Sequence, residues 1–515
     1  QTPTLAMLVD REAKIMNFKK EAYYVAHILG NGLDAVSEHL RDKAEAEKIA
    51  GACANGQALV TAVVKEEKWI APPKLYDLTT LQRDANRLFG FTAKQTLEYT
   101  QSLYEKKLVT YPRTDSQYLS DDMEGTARNV IEAIFNSLLF EQNIMFNPDV
   151  KKVLNSKKVT DHHAIIPTME IVKQDLKAIP ESEMKILSLC ANRLLCATAE
   201  KHIYNSTKAE LTCNGMVFKV SGKEIWKNGW KDFEDFFKNS YKTSEDKKDS
   251  DDAKKLPELT EGMTITVEDT RVSEHFTQPP KHFTEDSLLF AMERAGSEDM
   301  DDDVERKGLG TPATRADIIE KLVKDGFVKR EKKQMIPTED GMKLITVLPD
   351  VVKSPKLTAD WENELIQVSK GEVSAGQFMA GIKAMVSDLV KTYHSVSEEQ
   401  KNMFAQEQKV FGKCPNCGKD VVNGKYGAYC TGRCSMNINR VMGKVLTEEK
   451  VENLLAGKKI LLKGLTSKAG KKYDAYIIPE GTEEYSYTKD GEVKSGVQYK
   501  FTMEFPKKKF GGNRK

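Results

Sequence analysis

The chain has 515 residues, of which 40% are hydrophobic and 30% are charged, so it is long enough for several globular domains. No apolar run approaches the length of a membrane span, and no secretory signal opens the chain. The net charge of +1 conceals an asymmetry, because residues 409–515 contain 22 Lys and Arg against 11 Asp and Glu. This local net charge of +11 is typical of a segment that binds a polyanion, although a solubility tail would have the same charge.

Strand-like and helix-like segments alternate along the chain and predict a multidomain α+β fold. Because strand-like segments lie on both sides of a helical block, we expect that block to be inserted into a β domain. The chain opens with Gln1 directly in an apolar-periodic segment, so we also expect an upstream part to be missing. The predicted segments are the end of a helical domain (1–16), a first β part (17–80), a helical domain (81–200), a second β part (201–280), a helical, winged-helix-like domain (281–405) and a zinc-binding, β-rich region (411–510).

The sequence LVTYPRTDS at 108–116 follows a helical pattern predicted from Leu81 to Leu108. A proline at the fifth position prevents the helix from continuing and favours an extended Tyr111. Side chains alternate in an extended segment, so Tyr111 and Arg113 are expected on the same side. A phenol can attack a phosphorus atom and a guanidinium can bind phosphate oxygens, which makes the pair a candidate for phosphoryl transfer. A core tyrosine beside a surface arginine is the alternative, and these residues alone favour it.

Two adjacent histidines, His162 and His163, lie in the sequence KKVTDHHAIIPT at 157–168. Either imidazole could exchange a proton near neutral pH or bind a phosphate oxygen. Adjacent residues rarely face one metal ion and the sequence offers no evident third ligand, so a shared metal site is the weaker interpretation. A purely structural role stays open.

The stretch GLGTPATRADIIEKLVKDGFVKRE at 308–331 predicts a helix with Thr311 as its N-cap, followed by a hairpin. A second helix capped by Thr338 comes next, and this succession is common in winged-helix DNA-binding modules. The first helix N-terminus, with Thr314 and Arg315, is a candidate phosphate-binding site. An ordinary capped helix explains the same residues equally well.

Four of the eight cysteines form the pattern C-x2-C, twelve residues, then C-x3-C. This spacing matches a closed, structural zinc site of four thiolates on a β ribbon. Two disulfides are the alternative, which an intracellular location disfavours. Tyr426 and Tyr429, among Lys and Arg, offer stacking surfaces for a nucleic-acid single strand. The predicted ligands are Cys414, Cys417, Cys430 and Cys434.

The other cysteines are isolated or lie in apolar segments, which predicts that they are buried. They are Cys53, Cys190, Cys196 and Cys213. Two mixed-charge runs, at 245–255 and 298–307, are predicted to be solvated loops and not metal sites.

Five motifs, in this order along the chain, resemble those of the type IA DNA topoisomerases, most closely the topoisomerase III branch. The terminal segment LLKGLTSKAGKKYDAYI, which follows the four cysteines, is similar to the C-terminal repeats of that family. The five motifs are QTPTLAMLVDRE (1–12), LTTLQRDANRLFGFTAKQTLEYTQSLYEKKLVTYPRTDSQYLS (78–120), DHHAIIPT (161–168), PPKHFTEDSLLFAME (279–293) and GLGTPATRADIIEKL (308–322).

The resemblance implies a toroidal core of helical domains and a β domain, followed by a zinc-ribbon region. It implies an ATP-independent enzyme that cleaves one DNA strand through a 5′-phosphotyrosine link, passes a strand and religates. Tyr111 matches the nucleophile, Arg113 the residue that holds the scissile phosphate, and His162 the histidine that positions it. The residues implied to contact DNA are Gln1, Gln82, Thr114, Ser116, His163, Thr314 and Arg315.

One departure from the family concerns metal. The family binds Mg²⁺ through a glutamate and an Asp-x-Asp pair that follows a strand in an N-terminal domain, and we do not find that arrangement here, because the acidic clusters at 249–252 and 299–303 lie in predicted polar loops. We therefore expect the chain to bind DNA and zinc but to cleave poorly by itself. A non-enzymatic single-strand-binding protein and a nicking relaxase that uses a histidine-bound metal are the alternatives.

The resemblance also implies where the protein acts and on what. Its substrates would be single-stranded and negatively supercoiled DNA, with relaxation and decatenation as the activities. A monomer, a possible helicase partner and a cytoplasmic, nucleoid-associated location in a bacterium are expected, and no membrane association.

Overall fold

The structure, a computed structural model, describes residues 1–137, 139–140, 147–241, 255–296, 308–392, 409–424, 427–467, 470–489 and 492–506. Two compact units divide the chain, residues 1–395 and 396–515. Tyr426 and both mixed-charge runs, apart from Lys255, lie outside the described residues.

Strands from both sides of the helical block form one antiparallel sheet in the first unit, in the order β6-β3-β4-β5-β2-β1-β7. One helix, α2 (Lys43–Cys53), contributes Ile49 and Cys53 to the core of this sheet, where Val60 and Phe218 are also buried. The strands are β1 (Ala22–Gly30), β2 (Leu33–Val36), β3 (Gln57–Ile70), β4 (His202–Cys213), β5 (Met216–Lys227), β6 (Thr264–Thr266) and β7 (Asp269–Phe276).

A chain of polar side chains ties β1, β2 and β7 together. His275 Nε2 donates to Ser273 Oγ at 2.8 Å, and Ser273 Oγ donates to His27 Nε2 at 2.8 Å. His27 Nδ1 donates to Asp34 Oδ1 at 2.7 Å. The order Asp–His–Ser is that of a hydrolase triad, but Ser273 lies within a regular strand and bonds two histidines. We therefore assign these contacts to strand pairing.

The helical block packs around a large apolar core that includes Leu81, Leu103, Ile165 and Leu194. The expected helix from Leu81 to Leu108 is in fact two helices, because Gly90 adopts a positive φ of 73° and ends the first. Five 3-10 turns complete the block, at Asp121–Met123, Val150–Val153, Ser156–Lys158, Met169–Val172 and Leu176–Ala178. The helices are α3 (Leu78–Phe89), α4 (Ala93–Glu105), α5 (Glu124–Phe135), α6 (Glu181–Thr198) and, after β5, α7 (Lys231–Tyr241).

The rest of the first unit combines helices with a small sheet of order β8-β10-β9. The expected hairpin is present, and Thr338 caps the helix that follows it. The N-terminal helix α1 (Thr2–Met16) buries Leu5 and Leu8 in the same core as Leu288 and Ile319. The further elements are β8 (Phe283–Thr284), α8 (Glu285–Arg294), α9 (Pro312–Lys324), β9 (Val328–Glu331), β10 (Gln334–Pro337), α10 (Glu339–Val347), α11 (Asp350–Lys353), α12 (Lys356–Lys370) and α13 (Ala375–Thr392).

The second unit is rich in β structure and has its own core, which contains Val421, Leu462, Ile477 and Tyr499. Three sheets have the orders β11-β12-β13, β14-β15 and β16-β17-β18. Its elements are β11 (Val410–Lys413), β12 (Asp420–Val422), β13 (Tyr429–Cys430), β14 (Arg440–Val441), β15 (Lys444–Val445), α14 (Glu448–Leu455), β16 (Ile460–Thr466), β17 (Lys472–Lys489) and β18 (Glu492–Glu504).

Candidate active site

The segment 108–116, hereafter the strap, is fixed to the histidine segment 161–168 by its backbone. Lys107, with a φ of 63°, turns the chain away from the end of α4. Val109 then pairs with Pro167, and the Thr110 N–H donates to the Ile166 carbonyl at 3.0 Å. Because proline has no backbone N–H to donate, the backbone pairing between the strap and the histidine segment ends before the strap's proline.

Three hydroxyl groups of the strap bind backbone carbonyls, two in the histidine segment and one just before it. Thr110 Oγ1 donates to the Ala164 carbonyl at 2.9 Å, and Thr114 Oγ1 donates to the His162 carbonyl at 2.7 Å. Ser116 Oγ donates to the Lys158 carbonyl at 2.8 Å. Thr114 and Ser116 are both buried. The structure therefore differs from the expectation that these two hydroxyls face DNA, because each is committed to backbone contacts that position the strap.

Tyr111 is half-buried between two aromatic neighbours. Its ring centroid lies 4.3 Å from that of His162 and 5.3 Å from that of Tyr104. Pro112 is buried, whereas Arg113 and His162 are exposed. The phenol thus has a fixed direction beside an imidazole, and the strap presents a guanidinium to solvent one residue beyond the proline.

An open cleft of about 120 Å³ joins the strap, the histidine segment and the N-terminus of α9. Polar side chains and backbone dominate its walls, and a helix N-terminus carries a partial positive charge. The guanidinium, the imidazole and the helix N-terminus can bind an anionic group such as a phosphate, while the carboxylates of Asp115 and Asp161 line the same cleft and oppose an anion. The lining residues are Arg113, Thr114, Asp115, Asp161, His162, Thr311, Pro312 and Ala313.

The predicted phosphate site at the start of α9 is divided between surface and interior. Thr314 is exposed, and its hydroxyl accepts a hydrogen bond from the Thr311 N–H at 2.8 Å. Arg315 is buried instead of facing the cleft. Its guanidinium donates to Thr79 Oγ1 at 2.9 Å and lies 3.9 Å from a Glu293 carboxylate oxygen. Arg315 therefore connects α9 to α3 and α8 in this structure.

Asp77, which the sequence analysis missed, is the N-cap of α3 and lies beside this buried arginine. It accepts hydrogen bonds from the Thr80 N–H at 2.7 Å and from Gln117 Nε2 at 3.0 Å. Burial raises the pKa of this carboxyl group to about 6, and Glu293 also raises it, whereas Thr80 and Arg315 act in the opposite direction. An aspartate one residue before a helical pattern was the available signal.

The remaining residues predicted to contact DNA differ in accessibility. Gln82 is fully buried and donates from Nε2 to the Ala93 carbonyl at 3.0 Å, so it holds the start of α4 in this structure, and its predicted DNA contact stays a prediction. Gln1 is exposed at the start of α1. His163 is half-buried and donates from Nδ1 to the Ala164 carbonyl at 2.9 Å.

The four predicted metal ligands come together in the second unit, where their sulfur atoms all lie within 4.8 Å of one another. Cys414 and Cys434 sulfurs are 3.6 Å apart, and Cys417 and Cys430 sulfurs are 3.2 Å apart. A disulfide requires about 2.05 Å, whereas sulfurs on a zinc tetrahedron with 2.3 Å bonds are about 3.8 Å apart. The geometry fits a zinc ribbon and not two disulfides. The other four cysteines are buried, as predicted.

The residues that the structure describes offer no comparable site for magnesium. Among the described residues, the cysteine cluster is the one group of three or more histidine, cysteine and acidic side chains close enough to share a metal ion. In that part of the chain the adjacent histidines have no third ligand close enough to share a metal ion with them. The described residues do not fit the carboxylate set expected for Mg²⁺.

Comparison with known families identifies the chain. A family model described as "DNA topoisomerase" matches residues 1–380, and one described as "C-terminal repeat of topoisomerase" matches residues 433–494. Together with the fold and the strap, these matches show that the chain belongs to the type IA DNA topoisomerases.

Individual relatives are similar over most of the chain. Proteins named DNA topoisomerase 3 from Bacillus licheniformis and Bacillus subtilis are 35% and 34% identical over 451 residues, which is 83% of this chain. The chain spans 60% of the length of these relatives. A structure of full-length topoisomerase I from Thermotoga maritima aligns with a TM-score of 0.58 and 24% identity, over 84% of this chain and 68% of that one. This likeness confirms the predicted fold class. No helix in the described ranges has the length and apolarity to cross a bilayer.

Proposed function

We propose that this chain carries out the cleavage and religation chemistry of an ATP-independent topoisomerase on single-stranded segments of negatively supercoiled DNA. The observation that supports this most directly is the shared cleft. Tyr111 contacts His162, and His162 lines the same cleft as Arg113 and the N-terminus of α9. A nucleophile and several groups that prefer an anion thus converge from three separate segments.

The chemical step exchanges one phosphodiester for another. The Tyr111 phenolic oxygen forms a bond to the phosphorus while the bond from phosphorus to the 3′ oxygen breaks. The phenolic proton leaves the tyrosine, and the departing 3′ oxygen gains a proton to become a hydroxyl group. Because the phosphotyrosine bond conserves the phosphodiester energy, the 3′ hydroxyl can reverse the reaction without ATP.

Residues around the cleft take different roles in this proposal. The Arg113 guanidinium binds the phosphate oxygens and stabilises the charge that develops during attack. His162 orients the tyrosine ring and the phosphate. Thr314, Gln1 and His163 contact DNA directly. The buried polar residues support the site from within, and they are Gln82, Thr114, Ser116 and Arg315.

The domain roles follow from the same proposal. The helical block, residues 81–200, carries the strap and moves to open the gate for strand passage. Residues 17–80 and 201–280 form the β part of the gate, and residues 1–16 and 281–405 form the single-strand groove. Residues 411–510, with a structural zinc ion, add a basic DNA-binding surface.

Magnesium, a helicase partner, a monomeric state and a nucleoid-associated location in the bacterial cytoplasm rest on the family resemblance alone. Since the described residues offer no fitting carboxylate set, we assign no step to Mg²⁺. Relaxation and decatenation are the activities that the relatives' name supports.

A covalent trap tests the proposal. The chain is incubated with Mg²⁺ and an end-labelled single-stranded oligonucleotide, with and without a separately prepared acidic domain of a type IA enzyme. After denaturation, labelled DNA should migrate with the chain, and the Tyr111→Phe variant should give none. Tyr104→Phe is the matched control, because its ring contacts Tyr111 and its hydroxyl has no role in the proposal. DNA binding without an adduct in either mixture would favour a non-enzymatic binding protein.

A further inference from the structure

One tyrosine and two lysines lie directly beyond the strap, and the proposed chemistry gives them no role. Tyr118 is half-buried, whereas Lys74 and Lys158 are exposed. The ammonium groups of Lys158 and Lys74 lie 5.2 Å and 5.5 Å from the centroid of the Tyr118 ring. We call these three residues the Tyr118 patch.

The backbone of the Tyr118 patch is fixed to the segments that line the cleft. The Ala164 N–H donates to the Tyr118 carbonyl at 2.9 Å, which ties the patch to the histidine segment. Ser116 Oγ accepts from the Tyr118 N–H at 3.2 Å and donates to the Lys158 carbonyl at 2.8 Å. Since Asp115 lines the cleft and Ser116 follows it, the patch and the cleft form one continuous surface.

The lysines of the Tyr118 patch carry charge that the protein does not neutralise. Among the residues that the structure describes, neither has an acidic partner within ion-pair distance, whereas Lys152, in the neighbouring turn, lies 3.7 Å from an Asp149 carboxylate oxygen. An aromatic ring between free ammonium groups is typical of surfaces that bind nucleic-acid single strands, because bases stack on the ring and phosphates bind the lysines.

We propose that the Tyr118 patch binds one nucleotide of the single strand next to the reacting phosphate. The base stacks on the Tyr118 ring, and Lys74 and Lys158 bind the flanking phosphates. Contacts between an ammonium group and a ring are weak at exposed sites, so each lysine can exchange the ring for a phosphate. Every base can stack, so the patch adds affinity without a strong sequence preference. The inference rests on the proposed function, which places a DNA strand in the adjoining cleft.

Photo-crosslinking of the full chain locates the stacked base. A single-stranded oligonucleotide that contains 5-iodouracil is bound without Mg²⁺ and irradiated, and mass spectrometry identifies the crosslinked residue. A crosslink should form at Tyr118. Tyr204, on β4, is the matched control, because it is also half-buried and has a lysine ammonium 4.1 Å from its ring centroid. No crosslink at Tyr118, or equal yields at Tyr118 and Tyr204, would overturn the proposal.

The covalent trap with the acidic domain added separates binding from positioning. In Tyr118→Leu, the DNA concentration that gives half the maximal single-turnover rate should rise about tenfold, because stacking is lost. The rate at saturation should stay within about twofold of the wild type. Tyr118→Phe keeps the ring and should match the wild type, and Tyr204→Leu should change neither quantity. A lower saturating rate with unchanged half-saturation would assign Tyr118 to positioning the strap and refute the subsite.

The two experiments distinguish a failure of the subsite from a failure of the proposed function. Crosslinking requires binding alone, so a crosslink at Tyr118 in a chain that forms no adduct would support the subsite and refute the cleavage chemistry. An adduct at Tyr111 without a crosslink at Tyr118 would do the reverse.

Salt dependence tests the phosphate contacts of the two lysines. Each contact to a single strand contributes about 0.7 to the slope of log affinity against log salt concentration. Lys74→Ala and Lys158→Ala should therefore each reduce the slope of the half-saturating DNA concentration by about 0.7. Lys177→Ala is the control, because it removes an exposed lysine elsewhere in the helical block. Slopes equal to that of the wild type in both patch variants would refute the phosphate contacts.

Discussion

At the residue scale, the strap places the proposed tyrosine nucleophile and one guanidinium around a shared neighbour. His162 contacts the Tyr111 ring and lines the cleft that Arg113 also lines. The carbonyl of His162 is in turn held by Thr114, which is buried. The exposed side chains of Arg113 and His162 can contact a ligand, whereas the buried Thr114 fixes the position of the segment that carries His162.

Replacing Arg113 should slow the formation of the covalent adduct more than it weakens DNA binding. Arg113→Ala removes the charge that stabilises the reacting phosphate, and the single-turnover rate should fall at least about 100-fold. Arg113→Lys keeps a charge but not the planar fork, so its rate should lie between those of Arg113→Ala and the wild type. Quenched-flow trapping of the adduct measures both rates. If Arg113→Ala and the wild type formed the adduct at equal rates, Arg113 would have no part in the reaction.

Asp77 should make the stability of the first unit depend on pH. Its pKa rises on folding from 3.8 to about 6, so the folded state prefers the protonated form. This contribution is fully present below about pH 4 and is lost as the pH rises through 6, at a cost of up to about 3 kcal/mol. Asp77→Asn keeps a capping oxygen without the charge.

Urea denaturation of the full chain checks this pH dependence. The Asp77→Asn variant should be more stable than the wild type at pH 7, and the difference should disappear near pH 4. Asp121→Asn, at an exposed aspartate elsewhere in the helical block, is the control and should show no such trend. A difference between Asp77→Asn and the wild type that is the same at both pH values would contradict the prediction.

At the scale of elements, the helices that lead into the strap rest on α8 through buried polar contacts. Glu285, the first residue of α8, is buried, and its carboxylate accepts from the Ala93 N–H at 2.6 Å. The same carboxylate accepts from Arg330 Nε, in β9, at 2.7 Å. Glu285 therefore binds both the N-terminus of α4 and the β9-β10 hairpin. These contacts fix the position of α4 and of the strap that follows it.

Removing the Glu285 carboxylate should destabilise the first unit. Glu285→Ala leaves the Ala93 N–H unpaired and removes one partner of Arg330, which keeps Glu320. The free energy of unfolding should fall by about 3 kcal/mol. Glu331→Ala is the control, because its ion pair with Lys329 is exposed to solvent and should contribute little to stability. If both variants lost the same free energy of unfolding, the proposed role of Glu285 would be refuted.

At the scale of the whole molecule, the two units have separate cores, and the second contains four cysteines close enough to bind one metal ion. A structural zinc site commonly supplies much of the folding free energy of a small domain. Chelation should therefore unfold residues 409–506 and leave the first unit folded.

Limited proteolysis with and without a chelator measures this separation. Without zinc, cleavage should spread through the second unit, while a fragment close to residues 1–395 persists. Cys417→Ser should reproduce the effect without chelator, and Cys190→Ser, which changes a buried cysteine outside the cluster, should not. Simultaneous loss of both units on chelation would show that the zinc site also stabilises the first unit.

The sequence by itself predicted the features that depend on local spacing. The cysteine pattern predicted the ligand set, Pro112 predicted the end of the helix before the strap, and Thr338 predicted a helix start. These succeed because capping, helix termination and paired ligands involve residues a few positions apart. The fold class and the family also followed from the order of motifs along the chain.

Only the tertiary structure decided which polar residues are accessible. Gln82, Thr114, Ser116 and Arg315 have types that suit DNA contacts, yet all four are buried. Arg315 meets a threonine 236 positions away, and other long-range contacts are similar, such as that between the Ala93 N–H and Glu285. Composition and periodicity carry no information about such pairs, because burial depends on which elements pack together. Residue type therefore identified the candidates, and packing separated those that can meet a ligand from those that hold the site in place.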